Sequence, residues 1–267
     1  MKKALVLVLT VTSCLALAEP AAKIDVSQLP QQSKMIDDVV VPVPSEIFGV
    51  LDKIGRPLWG AVLRGEQSKA KPTGDSAQIA LLLGVVIAEG FVAVEAEDTK
   101  AVQDIGKSVL TLSKAIGVEK AVRERANAII ATAGKKDWTG VRRELDGALA
   151  KVKEAMLELK SEQLSQLVSL GGWLRGTEAL TTVVSKTYSA DGAELLHQPV
   201  LLDYFERRLA GMDKKIKNNP VVTKVQKGIL EIRPLVGVED GTQISEKTVK
   251  EIGAITEQLI KDINSKP

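Results

Sequence analysis

The sequence predicts an all-α fold, a single bundle of about nine to ten helices with two central apolar helices. A signal peptide (1–18) and an extended Pro-rich arm or tether (19–44) precede the bundle domain (45–267). Three observations carry this prediction. Side chains able to cap a helix recur at intervals from Ser45 onward. Apolar residues between them repeat at three- and four-residue steps. β-branched alternation with hairpin turns is nearly absent, which argues against a substantial sheet.

The first element is the leader. Met1 to Ala18 has a basic start (Lys2, Lys3), an apolar stretch from Ala4 to Leu17 and the small-residue triplet Ala16-Leu17-Ala18 before Glu19-Pro20. This is the grammar of a secretory signal cleaved after Ala18, and the stretch is shorter than the roughly 20 residues of a spanning helix. The chain's single cysteine, Cys14, lies inside it. Val11-Thr12-Ser13-Cys14 resembles the lipobox of bacterial lipoproteins, which implies the alternative of a membrane-anchored lipoprotein with Cys14 lipidated. Against that, Leu15 to Ala18 stays apolar. Cleavage after Ala18 leaves a periplasmic or secreted protein with no thiol, hence no disulfide, cysteine nucleophile or thiolate metal site.

Next comes the arm, with Pro20, Pro30, Pro42 and Pro44, and Pro57 further on. Val39-Val40-Val41-Pro42-Val43-Pro44 fits an extended strap, because proline fixes φ, lacks an N–H and biases its predecessor away from the helix.

Helices are then expected to begin at Ser45, around Pro57, at Asp75, at Asp98, near Val118, at Asp137, at Ser161, near Pro199, at Asn219 and at Ser245. Asp, Ser and Asn at these positions offer an oxygen to the unpaired N–H groups of the first turn. Gly117 and Gly134 stand where helix ends favour a left-handed residue. From Asp137 to Glu162 the apolar stripe is Val141, Leu145, Leu149, Val152, Met156 and Leu159. The last helix repeats the pattern with Val249, Ile252, Ile255, Leu259 and Ile263. Short loops favour antiparallel neighbours in one body.

Two segments are apolar nearly all round and form the expected centre. Ala77 to Val94 is interrupted only by Gln78 and Glu89, and Leu167 to Val184 carries Leu170, Trp173, Leu174, Leu180, Val183 and Val184. The first approaches spanning length, but Glu89 at its middle and its two glycines count against a membrane. Gly84, Gly90, Gly172 and Gly176 are expected to let helices approach closely. At an offset of 88 residues Gln78, Ile79, Leu82 and Gly84 align with Gln166, Leu167, Leu170 and Gly172. Shared helix composition or an internal duplication accounts for the match, and a duplication implies a pseudo-two-fold body.

Composition narrows function. Of 36 Lys and Arg, Lys2 and Lys3 leave with the signal, and the remaining 34 balance 34 acidic residues. That balance gives no electrostatic case for nucleic acid. Three Trp, two Tyr and three Phe are few for stacking platforms. Ala101 to Ser108 fits a loose phosphate-loop pattern, yet it has one glycine, lies in a helical pattern and follows no strand. With His197 the only histidine, self-contained two-histidine zinc and carboxylate-bridged di-iron sites are excluded, and no Gly-x-Ser-x-Gly elbow offers a nucleophile. No catalytic residue, metal ligand or cofactor is implied.

Glu89 is the residue that demands a partner, since a carboxylate in an apolar helix must pair, be neutralised or reach water. Arg175 is the lone cation of the other apolar helix, with Glu178 one turn further on the same face. The expectation is an ion pair between the central helices; the alternative leaves each group facing solvent. Arg207, Arg208, Lys214, Lys215 and Lys217 form the sharpest basic patch, either a solvated face or a contact for anionic headgroups. Membrane association is expected only through Cys14 or this patch.

These observations point first to an exported cell-envelope protein of non-enzymatic structural or interaction type, its partner an unspecified protein or small molecule. The alternative is a soluble small-ligand binder with a pocket between helices 75–97 and 161–187. An enzyme working only through carboxylates, serine or lysine comes third.

Overall fold

Side-chain oxygens start most of the helices. The computed structural model describes residues 34–36, 39–41, 58–237 and 242–266; the leader, Cys14, the rest of the arm and the helix expected at Ser45 lie outside them. In chain order the elements are β1 (Lys34–Ile36), β2 (Val39–Val41), a 3-10 turn (Trp59–Ala61), α1 (Gly65–Ser68), α2 (Ser76–Glu95), α3 (Thr99–Ala115), α4 (Glu119–Gly134), α5 (Trp138–Glu158) and α6 (Glu162–Lys186). They continue with α7 (Ala190–Glu194), α8 (Pro199–Ala210), α9 (Lys214–Lys217), α10 (Pro220–Val236) and α11 (Glu246–Asn264). β1 and β2 pair antiparallel with Met35 opposite Val40. Asp75 Oδ1 accepts from the Ala77 and Gln78 N–H groups at 3.0 and 3.1 Å. Asp98, Asp137, Asn219 and Ser245 cap α3, α5, α10 and α11 in the same way. Ser161 precedes α6 without capping it through its hydroxyl. The expected start near Pro57 is only the 3-10 turn.

The four joints from α2 to α6 share one geometry. Each helix ends in a residue of positive φ, namely Glu97 (52°), Gly117 (78°), Lys136 (56°) and Lys160 (52°). The following residue donates its N–H back across the turn, Asp98 to Ala93 O, Val118 to Ser113 O, Asp137 to Thr132 O and Ser161 to Met156 O. This double closure satisfies the last carbonyls of one helix, and the residue that closes it is also the N-cap of the next. Two capping motifs thus overlap in a single residue, which is why the turns are so short. Gly134 does not take the left-handed position expected of it; that falls to Lys136, two residues on. A Cβ at positive φ costs about 1 kcal/mol. Lys136→Gly and Lys160→Gly, both at exposed sites, are therefore expected to raise unfolding free energy by about 0.5–1 kcal/mol each in a urea titration.

These turns run α2 to α5 antiparallel, and α6 returns along α2, the helix pair in broadest contact. α11 then packs on α6, and α10 on α11. α2 is buried from Ala77 to Val94 without interruption. With a mean hydropathy of 2.2 it is apolar and long enough to cross a membrane, yet that stretch is wholly enclosed by other helices, the position of a core helix. Its one polar residue near the start, Gln78, donates through Nε2 to Ile263 O and Ser265 O at 2.9 and 2.8 Å, so it caps the end of α11.

Of the glycines expected to bring helices close, Gly84 and Gly90 do so. A Cβ on Gly84 would sit 2.0 Å from Val168 O, and one on Gly171 2.0 Å from Leu81 O. Gly171, rather than Gly172, is the second half of this close approach, and a Cβ on Gly176 would meet nothing within 4 Å among the described residues outside its own helix backbone. On α5 the buried stripe includes Ala148 and Ala155, while Leu159 lies past the helix end and is 56 % exposed. The segments aligned at an offset of 88 residues pack on each other, but the chain beyond them differs. Long helices with tight turns follow α2, whereas the short α7 and α9 interrupt the path after α6.

Candidate functional site

The site grows from the two apolar helices. α2 presents Glu89 and α6 presents Arg175, both fully enclosed, and Arg175 Nε donates to Glu89 Oε2 at 2.6 Å. Three residues along α6, Glu178 accepts from Arg175 Nη1 through Oε2. The third Arg175 nitrogen, Nη2, donates to Val62 O at 2.8 Å. All of these donors belong to one planar fork, which is why arginine suits three acceptors on three segments.

Arg64, not foreseen from sequence, closes the arrangement. Its backbone N–H donates to Glu89 Oε1 at 2.6 Å, and its Nη2 donates to Glu178 Oε1. Glu89, Arg175, Glu178 and Arg64 therefore form a ring in which acceptor and donor alternate, with as many guanidinium groups as carboxylates. The ring has a mechanical consequence: it holds residues 62–64 against the core through Val62 O and Arg64 N–H. Thr182 Oγ1 adds a bond to Glu178 Oε1 at 3.3 Å. Burial pushes the Glu89 carboxyl above its ordinary 4.5, against the opposing pull of the Arg175 guanidinium and the Arg64 N–H.

The ring is sealed on the core side and open on the other. Arg64 is 28 % exposed, against 3 % for Glu178. Beside this pair lies a cleft of about 520 Å³. Arg64, Glu66 and Gln67 line one side, Glu178 joins it to the ring, and Glu257, Ile260, Lys261, Asn264 and Ser265 come from the end of α11. Glu257 pairs with Lys261 at 2.8 Å, and that bond, with the more distant Arg64 charge, holds its carboxyl below the usual range. Gln67 is 1 % exposed, and its Oε1 has no hydrogen-bond partner among the described residues.

The expected pocket lay between helices 75–97 and 161–187. Those helices are in close contact at Gly84 and Gly171. The cleft takes Glu178 from the second of them and is otherwise lined by the 64–67 segment and the end of α11. Sequence reasoning missed Arg64, Gln67, Glu257 and Lys261. Arg64 precedes and Gln67 lies in α1, a single turn too short to show a periodicity, and Glu257 and Lys261 read only as the polar face of an amphipathic helix.

The remaining features fall elsewhere. Residues 101–108 lie within α3. Lys107 pairs there with Asp104 at 3.3 Å, and Ser108 Oγ donates to Ser68 O at 3.0 Å. His197 Nδ1 bonds Glu194 at 3.0 Å in the turn before α8. In the basic patch, Arg208 stacks over Tyr204 at 5.2 Å and lies 3.6 Å from Glu162, while Lys217 donates to Ala210 O at 3.0 Å. Arg207, Lys214 and Lys215 are exposed. A further pair, Arg142 with Glu95, is bidentate at 2.8 and 2.7 Å and ties α5 to α2.

No protein-family model matches the chain, and comparison with curated proteins and with solved structures finds no match.

Proposed function

We propose that the protein is exported, is cleaved after Ala18 and binds a small polar molecule in the cleft beside Arg64 without transforming it. The observation that carries this reading is the half-open guanidinium of Arg64, fixed at Nη2 by Glu178 and presented to a polar-lined cleft. An arginine spends only part of its five-donor fork on one carboxylate oxygen. The cleft's volume falls in the range of about 300–1,000 Å³ common to small-molecule sites.

A binder suits the site better than an enzyme. Both oxygens of Glu178 accept from arginine, and both oxygens of Glu89 are engaged within the ring. These carboxylates are committed to holding the ring, and the cleft's remaining acid, Glu66, is exposed to solvent rather than enclosed beside a reacting group. A purely structural role is the second reading, favoured by the way the ring clamps residues 62–64; it leaves the cleft without a use.

Mass spectrometry of the protein purified from its native envelope tests the proposal. The expected denatured mass is that of a chain starting at Glu19, with a non-covalent adduct visible only under native conditions. A lipid-modified chain starting at Cys14 would move the protein to a membrane surface. Native and denatured masses that agree across preparations would overturn the binding function.

A further inference from the structure

We infer that the ligand is a small zwitterion, a free amino acid or short peptide, with its carboxylate on Arg64 and its ammonium facing Glu66. The inference rests on the binding function proposed above and names the chemistry that the cleft selects. Charge bookkeeping inside the cleft leads to it. Glu178 is matched by Arg175 and Arg64, and Glu257 by Lys261. Glu66, an exposed residue of the cleft, is left as its acidic side chain without a partnered cation among the described residues.

A ligand that binds without breaking these pairs must use what they leave over. At Arg64 that is the part of the fork not bonded to Glu178, which suits a second carboxylate oxygen pair in the guanidinium plane. At Glu66 it is a full negative charge, which suits an ammonium. A dicarboxylate would meet Arg64 but bring its second charge toward Glu66 and Glu257. A diamine would satisfy Glu66 but place a cation against Arg64. Gln67 supplies an independent sign of a polar occupant: its enclosed Oε1 lacks a partner among the described residues, and a small turn of the side chain would offer that acceptor to a ligand N–H.

Amide NMR of the isotope-labelled protein, titrated with one probe of each class, decides the matter. The probes are L-alanine and L-alanyl-L-alanine for zwitterions, succinate for dicarboxylates and putrescine for diamines. The expected result is saturable shifts at Gln67, Ile260 and Ser265 with the zwitterions alone, the single residue or the dipeptide binding tighter according to which fills the cleft. Glu66→Gln, at an exposed position that leaves folding intact, should weaken that binding by at least about tenfold. Arg64→Gln should abolish it, with a thermal melt to show that the variant is folded. Binding of succinate or putrescine alone would overturn the zwitterion and spare the binding function. Zwitterion binding indifferent to Glu66→Gln would overturn the placement. Silence toward every probe would overturn the zwitterion and leave the binding function to be decided by the native and denatured masses.

Discussion

Arg175→Met is expected to lower the unfolding free energy by about 3–5 kcal/mol, the effect of leaving a buried charge without its partner. The loss follows from what remains: among the described residues Glu89 keeps only the Arg64 N–H, and Glu178 keeps Arg64 at the edge of the cleft. Glu89→Gln should cost less, about 1–3 kcal/mol, because an amide oxygen still accepts from Arg64 and Arg175 keeps Glu178. In the double variant the uncompensated carboxylate is gone, so the losses should fall short of their sum by about 1–3 kcal/mol. Strict additivity in urea titrations would deny the pairing its energetic role. The pH dependence carries a second check. A carboxyl whose pKa is raised by folding holds its proton more tightly in the native state, so its contribution to stability falls as pH rises from 4.5 through its native value. Removing Arg175 takes away the strongest opposing influence and raises that native value further. The destabilisation by Arg175→Met should accordingly be smaller at pH 5 than at pH 8, and Glu89→Gln should erase the difference.

The all-helical body was legible because its signals are local. Asp75, Asp98, Asp137, Asn219 and Ser245 act within three residues of themselves, and the α2 run of apolar residues announces its own burial. Glu89, Arg175 and Glu178 were legible for a related reason: a charge in such a run is conspicuous, and it must have a partner. What stayed hidden is set by distance. Arg64 reaches Glu178 across 114 positions and Gln78 reaches Ser265 across 187. Nothing near either residue in sequence marks it as the closing member of a ring or the cap of a remote helix. Even the left-handed turns at Glu97, Lys136 and Lys160 escaped, because the backbone imposes there a conformation that the side chain does not request.

The glycines of the central pair give the second large effect. Gly84→Ala and Gly171→Ala each place a methyl 2.0 Å from a backbone carbonyl oxygen of the facing helix. A side chain could turn aside; a carbonyl locked in a helix cannot, so α2 and α6 must separate along a contact that also aligns Glu89 with Arg175. Each substitution is expected to cost about 3 kcal/mol, the upper part of the range for overpacked cores, despite the roughly 1 kcal/mol of helix propensity that alanine adds. Gly176→Ala, on the same helix, provides the control. Outside its own helix backbone, no heavy atom of the described residues lies within 4 Å of the added carbon, so only the propensity gain remains and the protein should become more stable by up to about 1 kcal/mol. Opposite signs at Gly171 and Gly176 in denaturant titrations would assign the cost to helix approach. Losses of equal size at both would refute it, since they would mean that the helix rejects a methyl wherever it is placed.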